Sequence, residues 1–337
     1  MLGDAPVAQL IERARLAESC GFDAVWLADE RFYREVYGAL TAVALATSRV
    51  AVGPCVTDPF TRHPALTAMA IATLDEISDG RAVLGLGAGV SGFAELGIRP
   101  VKPVRAMREA IALIRALLCG EQVDVTGEAI ALRNGRLSFK PIRADIPIHV
   151  ASNGPLGQRT AGAVADGAIM EACGSVAEAQ AFATEVRRGA KSAGRDAGSV
   201  RLTVRLNACI AADGSRARDI VRRSVARYLG RGTLKLATAE AQGLTLSHEA
   251  TAPLANAPYA AGVAPYLPLL PLITDRHVDA LALAGSKAQV TARVIELRHA
   301  GIDAIIVRPV AGAGISVEDT IAAFGEIWPA RPRDSAT

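Results

Sequence analysis

VGPCVTDPFTRHPALTAMAIATLDEISDGRAVLGLGAG, residues 52–89, reads as a strand end, a proline-punctuated turn, a long apolar helix, a glycine turn and a second strand. Aliphatic and β-branched residues from Val50 to Val56 make the first strand. Pro54, Asp58-Pro59 and His63-Pro64 break it, and Pro64 suits the first turn of a helix. Asp79-Gly80 ends that helix, and Ala82 to Gly87 forms the next strand. Strands this apolar belong to a parallel sheet covered on both faces, so the stretch is one βαβ unit.

The same grammar recurs along the chain. GFDA, ISDGRA, VADGAI and HAGIDA each join a helix to a strand through Gly and Asp. Each Gly is expected to end its helix in the left-handed conformation. Strands follow at 24–28, 49–53, 82–87, 147–151, 167–171, 202–211 and 304–308, with helices between them. An eight-stranded barrel requires one more strand before the first helix. Only Met1 and Leu2 precede GDAP, so the first strand is expected to be short or missing. QVDVTGEAIALRNGRLSF alternates and contains Asn134-Gly135, which predicts a hairpin excursion over 121–141. Prolines 253, 258, 265, 268 and 271 divide short helical pieces, which predicts a helical insertion over 230–284. Residues 1–330 then form a single α/β domain, and the polar tail 331–337 is expected to fray.

Half of the 337 residues are hydrophobic and 21% are charged, enough for a large core. A formal charge of +3, with no basic run interleaved with aromatics, argues against nucleic acid. No secretory signal opens the chain and no unbroken apolar run reaches transmembrane length. The five cysteines are scattered without a CxxC pair, which fits a reducing cytoplasm and opposes zinc or a disulfide framework. His63, His149, His248, His277 and His299 show no ligand spacing, so no metal is expected.

GPCVTDPFTRHP (53–64), ATLDEISDGRAVLGLGAG, ADERFY (28–33), IPIHVASNGP and VADGAIMEA together resemble the bacterial luciferase-like superfamily. Within it the chain is most similar to the methylenetetrahydromethanopterin reductase-like, F420-dependent oxidoreductases, from Ala5 to Trp328. The resemblance implies a TIM-type (β/α)8 barrel with its active face at the C-terminal strand ends. It also implies a deazaflavin, coenzyme F420, or else FMN, bound without covalent attachment. A non-proline cis peptide at Cys55-Val56 would back the ring, with Thr57 beside it. Gly87, Ala88 and Gly89 would let the backbone lie against the ring. Ser152, Asn153, Gly154 and Pro155 match the phosphate-binding turn. A glycine turn feeding a helix N-terminus offers free N–H groups and a positive dipole end to an anion. Glu171 is counted with the cofactor-binding residues. Asp29 and Glu30 would lie near the pyrimidine edge or the reacting carbon.

Two departures matter. Sugar-phosphate dehydrogenases of the superfamily have a histidine where this chain has Glu30 and a glutamate where it has Val90, so their mechanism is not expected. The reductase branch uses an acid on the first strand, which this chain lacks. The proton donor therefore stays open among Asp29, Glu30 and Glu95.

The leading expectation is hydride transfer between F420 and a small organic substrate, the cofactor doing the chemistry. An FMN-dependent monooxygenase fed by a partner flavin reductase is the alternative, and a non-catalytic flavin-binding homologue another. A cofactor-free aldolase-type barrel would need a lysine at a strand end, and none of the seven strands supplies one. Arg31, Arg34, Arg62, Arg99, Lys102, Arg105 and Arg308 are expected to form a basic rim for the acidic tail of F420. The segments 38–48 and 64–78 carry no charge before Asp75, which predicts a homodimer through those helices.

Overall fold

The computed structural model describes residues 5–327 except 90, 233–235 and 255–256. The stub expected at Met1 and Leu2, Val90 and the tail 331–337 lie outside the described residues. The order is α1 (Val7–Ser19), β1 (Ala24–Leu27), α2 (Val36–Ala46), β2 (Ala51–Pro54), α3 (Pro64–Ile77), β3 (Leu84–Gly87) and α4 (Pro103–Leu118). A hairpin of β4 (Val123–Thr126) and β5 (Ala131–Gly135) precedes β6 (Ile148–Ala151), α5 (Pro155–Val164), β7 (Gly167–Glu171) and α6 (Val176–Ser192). Then come β8 (Arg201–Ile210), α7 (Gly214–Arg231), α8 (His248–Thr251), α9 (Asp275–Leu281), β9 (Ala282–Gly285), α10 (Lys287–His299), β10 (Ala304–Pro309) and α11 (Val317–Gly325).

Parallel pairing runs β1-β2, then β3-β6-β7-β8-β10, and two bridges, Val52 to Ala82 and Thr57 to Leu86, join β2 to β3. The result is a TIM-type barrel, with the apolar faces of its helices packed on the strands in a main core and a second cluster joining α7, α9 and β9 to the insertion. Between those bridges five steps of the β2 segment, 52 to 57, face four of the β3 segment, 82 to 86. One extra residue makes a bulge at the top of β2.

The insertion differs from expectation at its C-terminal end. Ala282–Gly285 is not helical; it pairs in parallel with Asn207–Ile210 of β8. β10 occupies the other edge of β8 from Thr203 to Ala208, so β9 continues the edge that β7 leaves at Arg205. Leu and Ala favour a helix by propensity. Here an open stretch of strand edge decides instead, because its N–H and C=O groups need partners.

β1 and β10 end the run of strands, and no described strand lies between them. A cavity of about 340 Å³ opens at that seam, lined by Ala24, Trp26, His149, Ile305 and Val307. Burial pushes the His149 imidazole down to about 4, helped by the charge of Arg201.

The Gly–Asp joints divide. Gly21, Gly80 and Gly301 have φ of +82°, +77° and +93°, as expected of helix stops. Gly167 is instead a residue of β7, where an added Cβ would lie 2.5 Å from Nδ1 of His149. The aspartates of the last two joints tie neighbouring strands: Asp166 accepts the Ile148 N–H at 2.8 Å and Asp303 the Leu202 N–H at 2.8 Å. The hairpin reverses at 127–130, not at Asn134-Gly135, which end β5. Glu109 of α4 fixes that reversal, accepting the N–H groups of Glu128, Ala129 and Ile130 at 3.0, 2.9 and 3.0 Å.

Asp75 at the end of α3 is fully buried and accepts the Ala82 N–H at 3.0 Å and Arg143 Nη2 at 2.8 Å. Arg143 also donates to the Ala82 carbonyl, so one ion pair holds the start of β3 against the segment before β6. Asp75→Ala should cost about 2 kcal/mol, the usual range for hydrogen bonds to charged groups. Urea unfolding would show this as a lower midpoint at unchanged slope.

Candidate active site

A second cavity, of about 210 Å³, lies at the C-terminal ends of the strands. The seam cavity is larger, but Phe22, Arg81, Pro147, Arg201 and Asp303 place it at the opposite strand ends, away from where a TIM barrel does its chemistry. The candidate active site is the smaller cavity.

Its first wall is the bulge of β2. The Cys55-Val56 peptide is cis, as the resemblance implied, and both residues line the cavity. Burial raises the Cys55 thiol to about 11, so it is an uncharged wall and not a nucleophile. Glycines make the bulge possible. A Cβ at Gly53 would lie 1.7 Å from the Val83 carbonyl oxygen, one at Gly85 2.4 Å from that of Pro54, and one at Gly87 2.7 Å from Cγ2 of Val56. Gly89 has φ +67° and faces the cavity.

Asp29, Glu30 and Arg31 follow β1. Thr57 Oγ1 donates to Asp29 at 2.7 Å, and Arg31 bridges Asp29, at 2.7 Å, and Asp58. Asp58 also accepts the Phe60 and Thr61 N–H groups at 2.9 and 2.7 Å. Asp29 is thus a strut fixing the bulge to the β1 loop. Glu30 is placed differently: it accepts the hydroxyl of Tyr259, from the insertion, at 2.9 Å. Burial, then the Glu30 charge, raises the Tyr259 phenol to about 12, so it keeps its proton.

The opposite wall comes from β7, β8, β10 and α7. Glu171 pairs with Arg205 and accepts Tyr228 Oη at 2.9 Å. Burial alone would raise the Glu171 carboxyl. The charge of Arg205, the Tyr228 hydrogen bond and the charge of Arg308 outweigh it and hold the group below the ordinary carboxylate range. Burial and the Glu171 charge push Tyr228 up to about 12.

The turn after β6 begins beyond Ala151, the last residue of that strand and one that lines the cavity. Gly154 is the extended N-cap of α5, with φ −94° and ψ 146°, and nothing lies within 4 Å of where its Cβ would be. Pro155 fills the first helical position, and the following first-turn amides have no intrahelical acceptor. Asn153 donates to the Glu171 carbonyl at 3.1 Å and accepts its N–H at 2.9 Å, clamping the turn to β7. The Ser152 hydroxyl lies 3.3 Å from the Gly154 nitrogen.

Cys55, Val56, Gly89, Asp29, Glu30 and Glu171 therefore meet at one cavity, and Thr57 supports them from behind. Gly87 lies under the bulge, and the 152–155 turn follows Ala151 in sequence, but none of Gly87, Ala88 and residues 152–155 lines the cavity. Glu95 is exposed and is not among the lining residues. The basic rim is mostly spent on carboxylates: Arg62 pairs with Glu35, Lys102 with Glu128, and Arg105 with Glu109. Of that set only Arg31 and Arg308 line the cavity. Arg205, Asn207, Arg227, Tyr228, Arg231 and Tyr259 were not foreseen. One signal was available: Arg201, Thr203, Arg205 and Asn207 alternate along β8, and such a period places them on one face of the strand.

A family model described as luciferase-like monooxygenase matches residues 1–304. The chain belongs to this luciferase-like family. A 5,10-methylenetetrahydromethanopterin reductase of Methanolobus tindarius is 33% identical over 89% of this chain and 90% of its own length. The solved coenzyme F420-dependent tetrahydromethanopterin reductase of Methanopyrus kandleri is 27% identical, with a TM-score of 0.85 over 97% of this chain and 96% of that one. An F420-dependent secondary alcohol dehydrogenase, solved with an F420–acetone adduct, shares the luciferase-like fold at a TM-score of 0.77 and 20% identity.

The folded-state pKa of Glu171 lies below its ordinary 4.5, so its contribution to stability is complete above that pH and is lost as pH falls through the lower value. Glu171→Gln should therefore flatten the acid limb of the stability curve below about pH 4.5. Thermal melts of both proteins from pH 7 to pH 3 measure it.

Proposed function

We propose that the protein is an oxidoreductase that binds coenzyme F420 and exchanges a hydride with a small organic substrate. The observation that carries this reading is the glycine-backed Cys55-Val56 bulge, which presents a flat backbone wall to a cavity whose proton-bearing groups stand opposite. The similarity to a solved coenzyme F420-dependent reductase, at a TM-score of 0.85, supports the choice of cofactor.

The residues fit such a group. Val56 and Gly89 offer the wall for a planar ring, and the open space at Gly154 with the free amides of α5 suits a phosphate. Bound there, the deazaflavin supplies the hydride chemistry. The chain supplies the rest. The bulge and the tyrosines shield the cavity, the 152–155 turn anchors, and Asp29 fixes the β1 loop. Glu30 and Tyr259 hold one proton between Oε1 and Oη at the cavity, where a substrate oxygen can take or give it. Glu171 is locked against Arg205 and serves to hold charge in place.

Gly154→Pro keeps the extended backbone but deletes one N–H, and should weaken F420 binding about tenfold, or ~1.4 kcal/mol. Fluorescence titration with F420 and with FMN reads both the affinity and the order of preference. Tight FMN binding without F420 binding would overturn the reading in favour of a flavin monooxygenase, as the family's description allows.

We also infer a homodimer. Leu45 on α2 and Leu66 and Met69 on α3 are 73%, 50% and 46% exposed on adjacent helices. A patch of this kind is what monomers avoid. Leu66→Glu with Met69→Glu should convert a dimer into a folded monomer in light scattering, whereas a wild-type monomer at micromolar concentration removes the inference.

A further inference from the structure

We propose that Asn207 and Arg308, with Arg227 and Arg231 on the wall of α7, recognise an oxyanion of the substrate, a carboxylate or a phosphate. This rests on the reading above, in which the cofactor lies along the bulge and the 152–155 turn. The wall formed by β8, β10 and α7 is then left for the substrate.

Asn207 carries the argument. It is 1% exposed, it lines the cavity, and neither its Nδ2 nor its Oδ1 has a hydrogen-bond partner. Buried amides are almost always satisfied, and an orphan facing a cavity points to a group that comes from outside. Its register partner on β10 is Arg308, so two inward-facing polar residues stand side by side on adjacent strands.

Charge supports the same reading. Five arginines and four carboxylates line the cavity. Arg31 is committed to Asp29 and Asp58, and Arg205 to Glu171. Among the described residues Arg227, Arg231 and Arg308 form no salt bridge with a carboxylate. Arg227 and Arg231 instead lie 4.7 and 4.5 Å from the Tyr259 ring centroid, which holds both guanidinium groups near the cavity. Arginine forks suit carboxylate and phosphate oxygens, and the Asn207 Nδ2 would add one donor beside them. The Asn207 Oδ1 then accepts from a hydroxyl or N–H next to the oxyanion.

The test uses inorganic phosphate and acetate as probes, titrated calorimetrically into protein saturated with F420, which occupies the turn. A lone ion should bind wild type with a Kd on the order of 1–10 mM. Arg308→Gln should weaken it at least tenfold. Asn207→Asp, which keeps the shape and pairs with Arg308, should abolish it, and both variants should keep F420 affinity within about threefold. Phosphate alone binding indicates a phosphorylated substrate, and acetate alone a carboxylic acid; either supports the proposal. Neither ion binding wild type, or unchanged affinity in whichever variant folds, overturns it. If F420 itself does not bind, the cofactor reading falls separately. The ions are then titrated into Gly154→Pro, where the turn is impaired, and into Gly154→Pro combined with Arg308→Gln. A tenfold difference between those two upholds the oxyanion site, and none overturns it.

Discussion

The close approach of β2 and β3 is the constraint on which the rest of the structure depends. At Gly53, Gly85 and Gly87 a Cβ would fall within 2.7 Å of the neighbouring strand or bulge, so only glycine permits the register. That approach leaves one residue too many on the β2 side, and the excess is expelled as the bulge at Cys55-Val56. The bulge turns Thr57 back toward Asp29, which through Arg31 gathers Asp58 and the β1 loop. A wall of the cavity is therefore made from backbone geometry, and the polar groups around it hold that backbone still.

The other wall depends on charge rather than on backbone. Arg205 is half-buried and pairs with Glu171, which also accepts the Tyr228 hydroxyl and feels the charge of Arg308. A half-buried ion pair of this kind adds little net stability. The pair is better understood as a fixed dipole at the cavity. Tyr259 reaches the site from a segment far away in sequence and hydrogen-bonds Glu30, so the insertion closes the site as well as covering the barrel.

Two sequence expectations failed through competition for backbone hydrogen bonds, and a third through steric room. Ala282–Gly285 has helix-forming residues but meets an open edge of β8 and becomes a strand. Asn134-Gly135 is a strong turn signal, yet Glu109 captures the amides of 128–130 and fixes the reversal there. Gly167 stands in a joint that elsewhere marks a helix stop. It is glycine because His149 lies where its side chain would be.

By itself the sequence determined the alternation of helix and strand, the α/β class, the glycine-rich β2 and β3 ends and the turn at 152–155, while the barrel followed only from the family resemblance. These are local properties, set by apolar period, by proline and glycine and by the spacing of Gly with Asp. The pairings across the cavity belong to no local pattern: Glu30 finds Tyr259 across 229 positions, and Glu171 finds Tyr228 across 57. Only the tertiary structure decided that Glu95 stays outside, that Asp29 supports while Glu30 faces the cavity, and that Asn207 is buried without a partner. A residue's burial and its charge partners depend on what the closed barrel brings beside it, and no sequence spacing encodes that distance.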